Sequence, residues 1–360
     1  MKAAVCREFA KPLVIEEVSL AEPGIDEVRV RIKACAICHS DIIFAEGGWG
    51  GKLPAIYGHE AAGIVEAVGP GVRHLKPGDH AVVTLVRACG TCPCCEQGYY
   101  GSCETTYPLD DRSPISAPDG SSIHHGLRTG GFAEAVVVEA SQAVAIGKDI
   151  PFASASLLAC GVITGFGAVT NTAKMPAGAS AVVIGCGGVG LNAIQGASIS
   201  GARVVIAMDL SDSKIEAAKR FGATHGVNPA KEDAAAAVKA LTGGRGADFV
   251  FVTTGVKAAF DQSYSLVAKG GAVVLVGMPE NGVMSEIDPG TLANDSKRLL
   301  GSKMGSSNIH RDIPALADLY RQGRLKLDEL VTGTYPLEEI NEAIASVLRG
   351  EALRNVIVFD

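Results

Sequence analysis

Cys89, Cys92, Cys95 and Cys103 follow a Cys-x2-Cys-x2-Cys-x7-Cys spacing that puts four thiolates on one short loop. A tetrahedral cation with metal–sulfur distances of about 2.3 Å can bind all four without a preformed scaffold, so a closed structural zinc site is expected. Cys94 falls out of step and is expected not to ligate. Free surface thiols would be an oxidisable alternative. A nucleic-acid-binding zinc ribbon is disfavoured by Glu96, Glu104, Asp110 and Asp111, which make the neighbourhood acidic. A second set is dispersed: Cys38 in Cys38-His39-Ser40-Asp41, His59 in Gly58-His59-Glu60, and Cys160 in Ala159-Cys160-Gly161. Taken singly, each is as readily a small buried cysteine or a hydrogen-bonded core histidine. Together, two Cys and one His would leave a fourth position open to water or substrate, as catalytic zinc requires.

A third constellation is expected to bind a dinucleotide. The apolar run Ala181-Val182-Val183-Ile184 leads into Gly185-Cys186-Gly187-Gly188-Val189-Gly190 and then into helical sequence, the strand-turn-helix context of the dinucleotide fingerprint. Gly185 allows the tight turn, Gly187 a close approach of backbone to pyrophosphate, and Gly190 close packing of helix on strand. The next strand, Val204–Met208, ends at Asp209, where a carboxylate can accept from the ribose hydroxyls and repel a 2′-phosphate. NAD is therefore expected over NADP. Lys214 fits a ribose contact and a solvated helix lysine equally well.

These residues need two kinds of scaffold. Up to about residue 150, short alternating runs (Val28–Ile32, Ala61–Val68, His80–Leu85, Ala133–Val138) are separated by Gly/Pro/Asp turns, the pattern of a β-barrel. From about residue 155, buried strands alternate with Ala-rich helices, a βαβ series that builds a parallel sheet. Helix-like sequence at Ile313–Gln322 and Leu337–Arg349 then leads to the strand Asn355–Phe359, expected to rejoin the first domain. The predicted domains are 1–155, 156–299 and a return segment 300–360. With 360 residues, two domains are the default. A net charge of −7 without a Lys/Arg cluster argues against nucleic-acid or anionic-membrane partners. No signal core and no apolar run of membrane-spanning length is read, so a cytoplasmic protein is expected. Ten cysteines, five of them between Cys89 and Cys103, read as metal chemistry rather than a disulfide framework.

In these motifs and their order the chain resembles the zinc-containing medium-chain alcohol dehydrogenases. Gly58-His59-Glu60-Ala61-Ala62-Gly63-Ile64-Val65-Glu66-Ala67-Val68-Gly69 looks like the family's zinc signature; the four-cysteine loop, Cys160-Gly161-Val162-Ile163-Thr164-Gly165 and the glycine fingerprint follow. The resemblance implies an α/β protein: a GroES-like β-barrel catalytic domain plus a Rossmann, doubly wound parallel-sheet coenzyme domain. It implies two zincs per subunit, NAD, and a homodimer or homotetramer. Cys38, His59 and Cys160 would hold the catalytic zinc, Asp41 would orient the ligand histidine, and Glu60 would approach the metal during exchange. Ser40 would take the alcohol proton as hydride passes to the nicotinamide. His39 and Arg354 match pyrophosphate contacts; Thr164, Val189 and Val276 match residues around the nicotinamide. Where well-known members have a histidine five residues after the first ligand cysteine, this chain has Ile43, so the proton needs another exit.

Three alternatives compete with this reading. A non-enzymatic NAD sensor would be marked by a lost zinc ligand, and the zinc-free quinone-reductase branch lacks both zinc sites. The glutathione-dependent formaldehyde dehydrogenase branch holds its substrate's carboxylates with an arginine four residues after the last loop cysteine and an acid eleven after the first catalytic cysteine; here those positions are Tyr107 and Trp49. With Leu85, these side chains are expected to form an apolar pocket for uncharged primary alcohols, including bulky or aromatic ones. Secondary alcohols and polyols are a further substrate alternative.

Overall fold

The computed structural model describes every residue from Met1 to Asp360. It divides into Met1–Cys160 with Asn308–Asp360, and Gly161–Ser307. The first boundary lies five residues beyond the expected 155/156 and the second eight beyond 299/300. The second difference has a physical reason: the strand Arg298–Gly301 straddles the expected cut and is the edge strand of the parallel sheet, paired with Ala272–Leu275.

The first unit is a barrel-like pair of β-sheets. The long strand Glu27–Ala36 runs antiparallel to Glu60–Val68, with Val30 opposite Val65 and Cys35 opposite Ala61. Alternate residues of these strands enter the core with Phe132, Ile32 and Val136, while Arg29 and Arg31 face outward onto Glu66. The closing strand Arg354–Val358 lies antiparallel to Ala34–Ala36 and parallel to Val331–Pro336.

The second unit is a six-stranded parallel sheet in the order His225–Val227, Val204–Met208, Ser180–Ile184, Ala247–Val252, Val267–Leu275, Arg298–Gly301. Its inner strands are continuous apolar runs, as expected where helices cover both faces. The order reverses beside Ser180–Ile184, whose carboxyl end is the usual place for a nucleotide.

The helix Phe152–Thr172, 21 residues, is long and on average apolar enough to cross a membrane, but 83% of its most apolar stretch is buried inside the protein. Ser, Thr and Gly interrupt the run in sequence and hide its length.

Two buried ionisable groups near the barrel give opposed pH responses. Burial pushes the Glu139 carboxyl up to about 7 and the His125 imidazole down to about 4. Glu139 binds its proton more tightly folded than unfolded, so it subtracts stability as pH rises from about 4.3 to 7. His125 is held neutral when folded, so it adds stability as pH rises from about 4 to 6.5. Over this window the slopes oppose each other. We expect Glu139→Gln to make stability climb with pH relative to the unmutated protein, and His125→Asn to make it fall, each by about 2 kcal/mol between pH 4.5 and 7. Urea midpoints across that range check this; profiles that run parallel to the unmutated protein's would contradict it.

Candidate metal and cofactor sites

Cys38 immediately precedes the helix His39–Glu46, and Asp41 in its first turn ties two segments together. Asp41 Oδ2 accepts from the Cys38 amide at 3.0 Å, and Oδ1 accepts from the Gly58 amide and His59 Nδ1, both at 2.9 Å. A carboxylate acceptor at Nδ1 leaves Nε2 as the ring atom with a free lone pair. His59 Nε2 is buried and has no partner within the chain. Cys160 arrives on the helix Phe152–Thr172 where its turns widen to π geometry over Leu158–Val162, a distortion frequent at functional sites. Ligand atoms of Cys38, His59, Glu60 and Cys160 all lie within 4.8 Å of one another, and all four residues are buried. A hydrogen bond from Cys160 draws the Cys38 thiol well below its ordinary value, against the effect of burial. A buried orphan imidazole nitrogen beside two thiols fits zinc. Behind it, Arg354 Nη2 meets Glu60 Oε1 at 2.5 Å, both residues nearly inaccessible. Burial pushes Glu60 up to about 7 although Arg354 pulls the other way.

The four loop cysteines also converge, their sulfurs within 4.8 Å of one another. Cys89 and Cys95 are 4.0 Å apart and Cys92 and Cys103 3.9 Å apart. Metal–sulfur bonds of about 2.3 Å in a tetrahedron give edges of about 3.8 Å. Backbone amides point at the sulfurs: Cys92 N and Thr91 N at Cys89, 3.2 and 3.4 Å, and Cys89 N at Cys103, 3.4 Å. A Thr105 side-chain hydrogen bond, then the Thr91 amide, draw Cys89 down to about 5. Cys94 turns instead to Glu104.

In the second unit, Gly185 turns with φ +94°, and a Cβ on Gly190 would collide with the Gly185 carbonyl. Gly187 differs: its φ of −81° suits any residue, and a Cβ there would meet nothing within 4 Å. Its lack of a side chain leaves open the space before the helix Gly188–Ile199, as a phosphate approaching backbone amides needs. Asp209 Oδ2 accepts from the Cys186 amide at 2.8 Å and Oδ1 from Ser211 N at 3.0 Å, so this acid also holds the turn. Thr253 Oγ1, not singled out in the sequence, donates toward the Ile184 and Gly185 carbonyls at 3.0 and 2.8 Å.

Residues 24–148 match the alcohol dehydrogenase GroES-like domain and residues 188–322 the zinc-binding dehydrogenase family. Alcohol dehydrogenase 1 of Pisum sativum is 38% identical over 99% of this chain and 96% of its own. The chain belongs to the zinc-containing medium-chain alcohol dehydrogenases. Among solved structures of the family, an alcohol dehydrogenase zinc-binding domain protein from Burkholderia ambifaria superposes with a TM-score of 0.95 at 35% identity, covering 100% of this chain and 98% of that one. Benzyl alcohol dehydrogenase from Acinetobacter calcoaceticus gives 0.93 at 32%, covering 100% and 99%.

Other residues that the alcohol dehydrogenase motifs single out are placed as follows. Ser40 Oγ lies 3.7 Å from Cys38 Sγ, half-buried, while His39 is exposed. Ile43 is half-buried on the same helix. Arg354 is turned inward onto Glu60. Thr164 is buried with its hydroxyl 3.7 Å from Met304 Sδ; Val276 is buried and Val189 half-buried. Lys214 is half-buried near the start of the helix Asp212–Arg220. Trp49 packs edge-on to Phe44 (centroids 5.2 Å), which stacks on Tyr57 at 5.9 Å; Leu85 is half-buried. Phe44 and Tyr57 extend the aromatic group beyond what spacing alone suggests.

Tyr107 lies against the four-cysteine loop. Its hydroxyl is 3.8 Å from Cys103 Sγ, and its ring lies under the Arg87 guanidinium at 4.9 Å. Arg87, 2% exposed, has to find a partner and finds Asp110.

Proposed function

We propose that this chain is an NAD-dependent alcohol dehydrogenase oxidising primary alcohols, bulky and aromatic ones included, to aldehydes. The observation that carries the reading is the buried Cys38–His59–Cys160 cluster with His59 Nε2 unpartnered and Asp41 fixing its tautomer. Zinc held there would supply Lewis acidity, and NAD would accept the hydride. Asp41 keeps the imidazole oriented; Ser40, beside Cys38, takes the alcohol proton. Ile43 cannot carry that proton onward, so either ribose hydroxyls with water or a base outside this motif would have to. His39 and Arg354 would contact the pyrophosphate, the Asp209 carboxylate and Lys214 the ribose, and Thr164, Val189 and Val276 would flank the nicotinamide. A small-molecule alcohol or aldehyde is the only partner the reading needs besides further copies of the chain.

Substrate class rests on Trp49, with Phe44 and Tyr57 behind it, and on Leu85. Neutral rings favour neutral substrates, and neither Trp49 nor Tyr107 can pair a glutathione carboxylate as an arginine would. The relative from Acinetobacter calcoaceticus, named for benzyl alcohol, points the same way. In a competition assay following NADH, benzyl alcohol is expected to exceed S-hydroxymethylglutathione in kcat/KM. Trp49→Ala should lower kcat/KM for benzyl alcohol about tenfold while leaving ethanol nearly unchanged, the loss of one aromatic contact surface. The reverse ranking, or an unaltered ratio of large to small alcohols, counts against the pocket.

A further inference from the structure

Tyr107 sits in the peptide that leaves the four-cysteine loop, and three contacts fix it. Its amide donates to Asp110 Oδ2 at 2.9 Å, its ring lies under Arg87, and Arg87 is itself paired with Asp110. Arg87 is 2% exposed. The phenol is thereby aimed at Cys103, with its oxygen 3.8 Å from Sγ. When the loop holds zinc, every ligand sulfur is a thiolate without a proton, so it can only accept from a hydroxyl beside it. The phenol must therefore be the donor. The backbone amides serve Cys89 and Cys103, but only Tyr107 offers Cys103 a side-chain hydroxyl among its contacts.

We infer that Tyr107 is a positioning residue for the structural zinc: its hydroxyl donates to the Cys103 thiolate, and the Arg87–Asp110 pair holds it in place, slowing loss of that metal and attack on that sulfur. A hydrogen bond occupies a sulfur lone pair that would otherwise meet an acid or an oxidant, and partners of metal ligands of this kind typically change metal affinity roughly tenfold or more. The inference rests on the reading that the four-cysteine loop binds zinc. It gives this position, where a related branch uses arginine on substrate, a different task.

The test uses the zinc-loaded enzyme and Tyr107→Phe, which keeps the ring beneath Arg87 and deletes only the hydroxyl. With 4-(2-pyridylazo)resorcinol as the zinc acceptor, one of two zincs is expected to leave about tenfold faster from the variant, the other at an unchanged rate. With cobalt(II) in the loop, the thiolate-to-metal charge-transfer band is expected to move to longer wavelength, because an unbonded thiolate gives up its electron more easily; a packing role alone would not shift it. If the phenylalanine variant does not accumulate, 3-fluorotyrosine at position 107, a stronger donor of nearly the same shape, should slow release instead. Equal release rates and an unmoved band overturn the role of Tyr107, as does acceleration of both zincs alike. Fewer than two zincs in the unmutated enzyme overturns the underlying metal assignment, which metal analysis of the starting material separates from the other outcomes.

Discussion

Cys38→Ser and Cys89→Ser are expected each to lose one zinc per chain, with opposite consequences. Cys38 belongs to the buried cluster with one orphan imidazole nitrogen, so its loss should leave a folded protein whose kcat/KM for alcohols falls about a thousandfold or more, several kcal/mol of charge stabilisation. Cys89 belongs to a closed set whose sulfurs already stand at tetrahedral spacing, so its loss should be felt in folding. Metal binding to such a loop is largely folding free energy, and a drop of several kcal/mol in stability is expected. Zinc content, urea midpoints and activity per folded chain, measured together, check the division. Two variants indistinguishable in all three would refute it.

Asp209 is expected to decide the coenzyme, and its variants should behave unequally. Its carboxylate accepts from two amides of the turn, Cys186 and Ser211, and retains lone pairs for ribose hydroxyls. Asp209→Ala should reduce the preference for NAD over NADP by about a hundredfold, since charge-assisted hydrogen bonds of about 1.5–3 kcal/mol are lost along with repulsion of the 2′-phosphate. It should also loosen the turn, because two amides lose their acceptor. Asp209→Asn keeps one acceptor oxygen but sets an NH2 against the other amide, so it should relax coenzyme choice while costing one of the two turn hydrogen bonds. Steady-state kcat/KM with both coenzymes, alongside thermal unfolding, separates the two effects; an unmutated enzyme that uses NADP as well as NAD would sink the assignment.

The two Cys/His clusters that could hold metal are legible in the sequence because coordination restricts residue types and, in the loop, their spacing. The parallel sheet is legible for a similar reason: strands covered on both faces must be apolar throughout, as Val182 and Val250 show. Asp41 stands out only through the family resemblance, since a carboxylate three residues after Cys38 is also an ordinary helix cap. The contact of Tyr107 with Arg87, twenty residues earlier in the chain, is not legible because no local pattern pairs them. The aromatic group of Trp49 is half visible: Phe44 shares its helix region, whereas Tyr57 lies beyond the turn at Gly50 and Gly51 and joins through tertiary packing.

The strand Arg354–Val358 lies against Ala34–Ala36, and it brings the guanidinium that meets Glu60. A polypeptide made from its amino end at about 5–20 residues per second therefore keeps its first half waiting some tens of seconds for that neighbour. The six parallel strands lie between Ser180 and Gly301 without interruption, in a unit that ends at Ser307. During synthesis the middle of the chain can finish before the beginning does, and Cys38 and Glu60 await on the ribosome the strand that seals their side of the barrel.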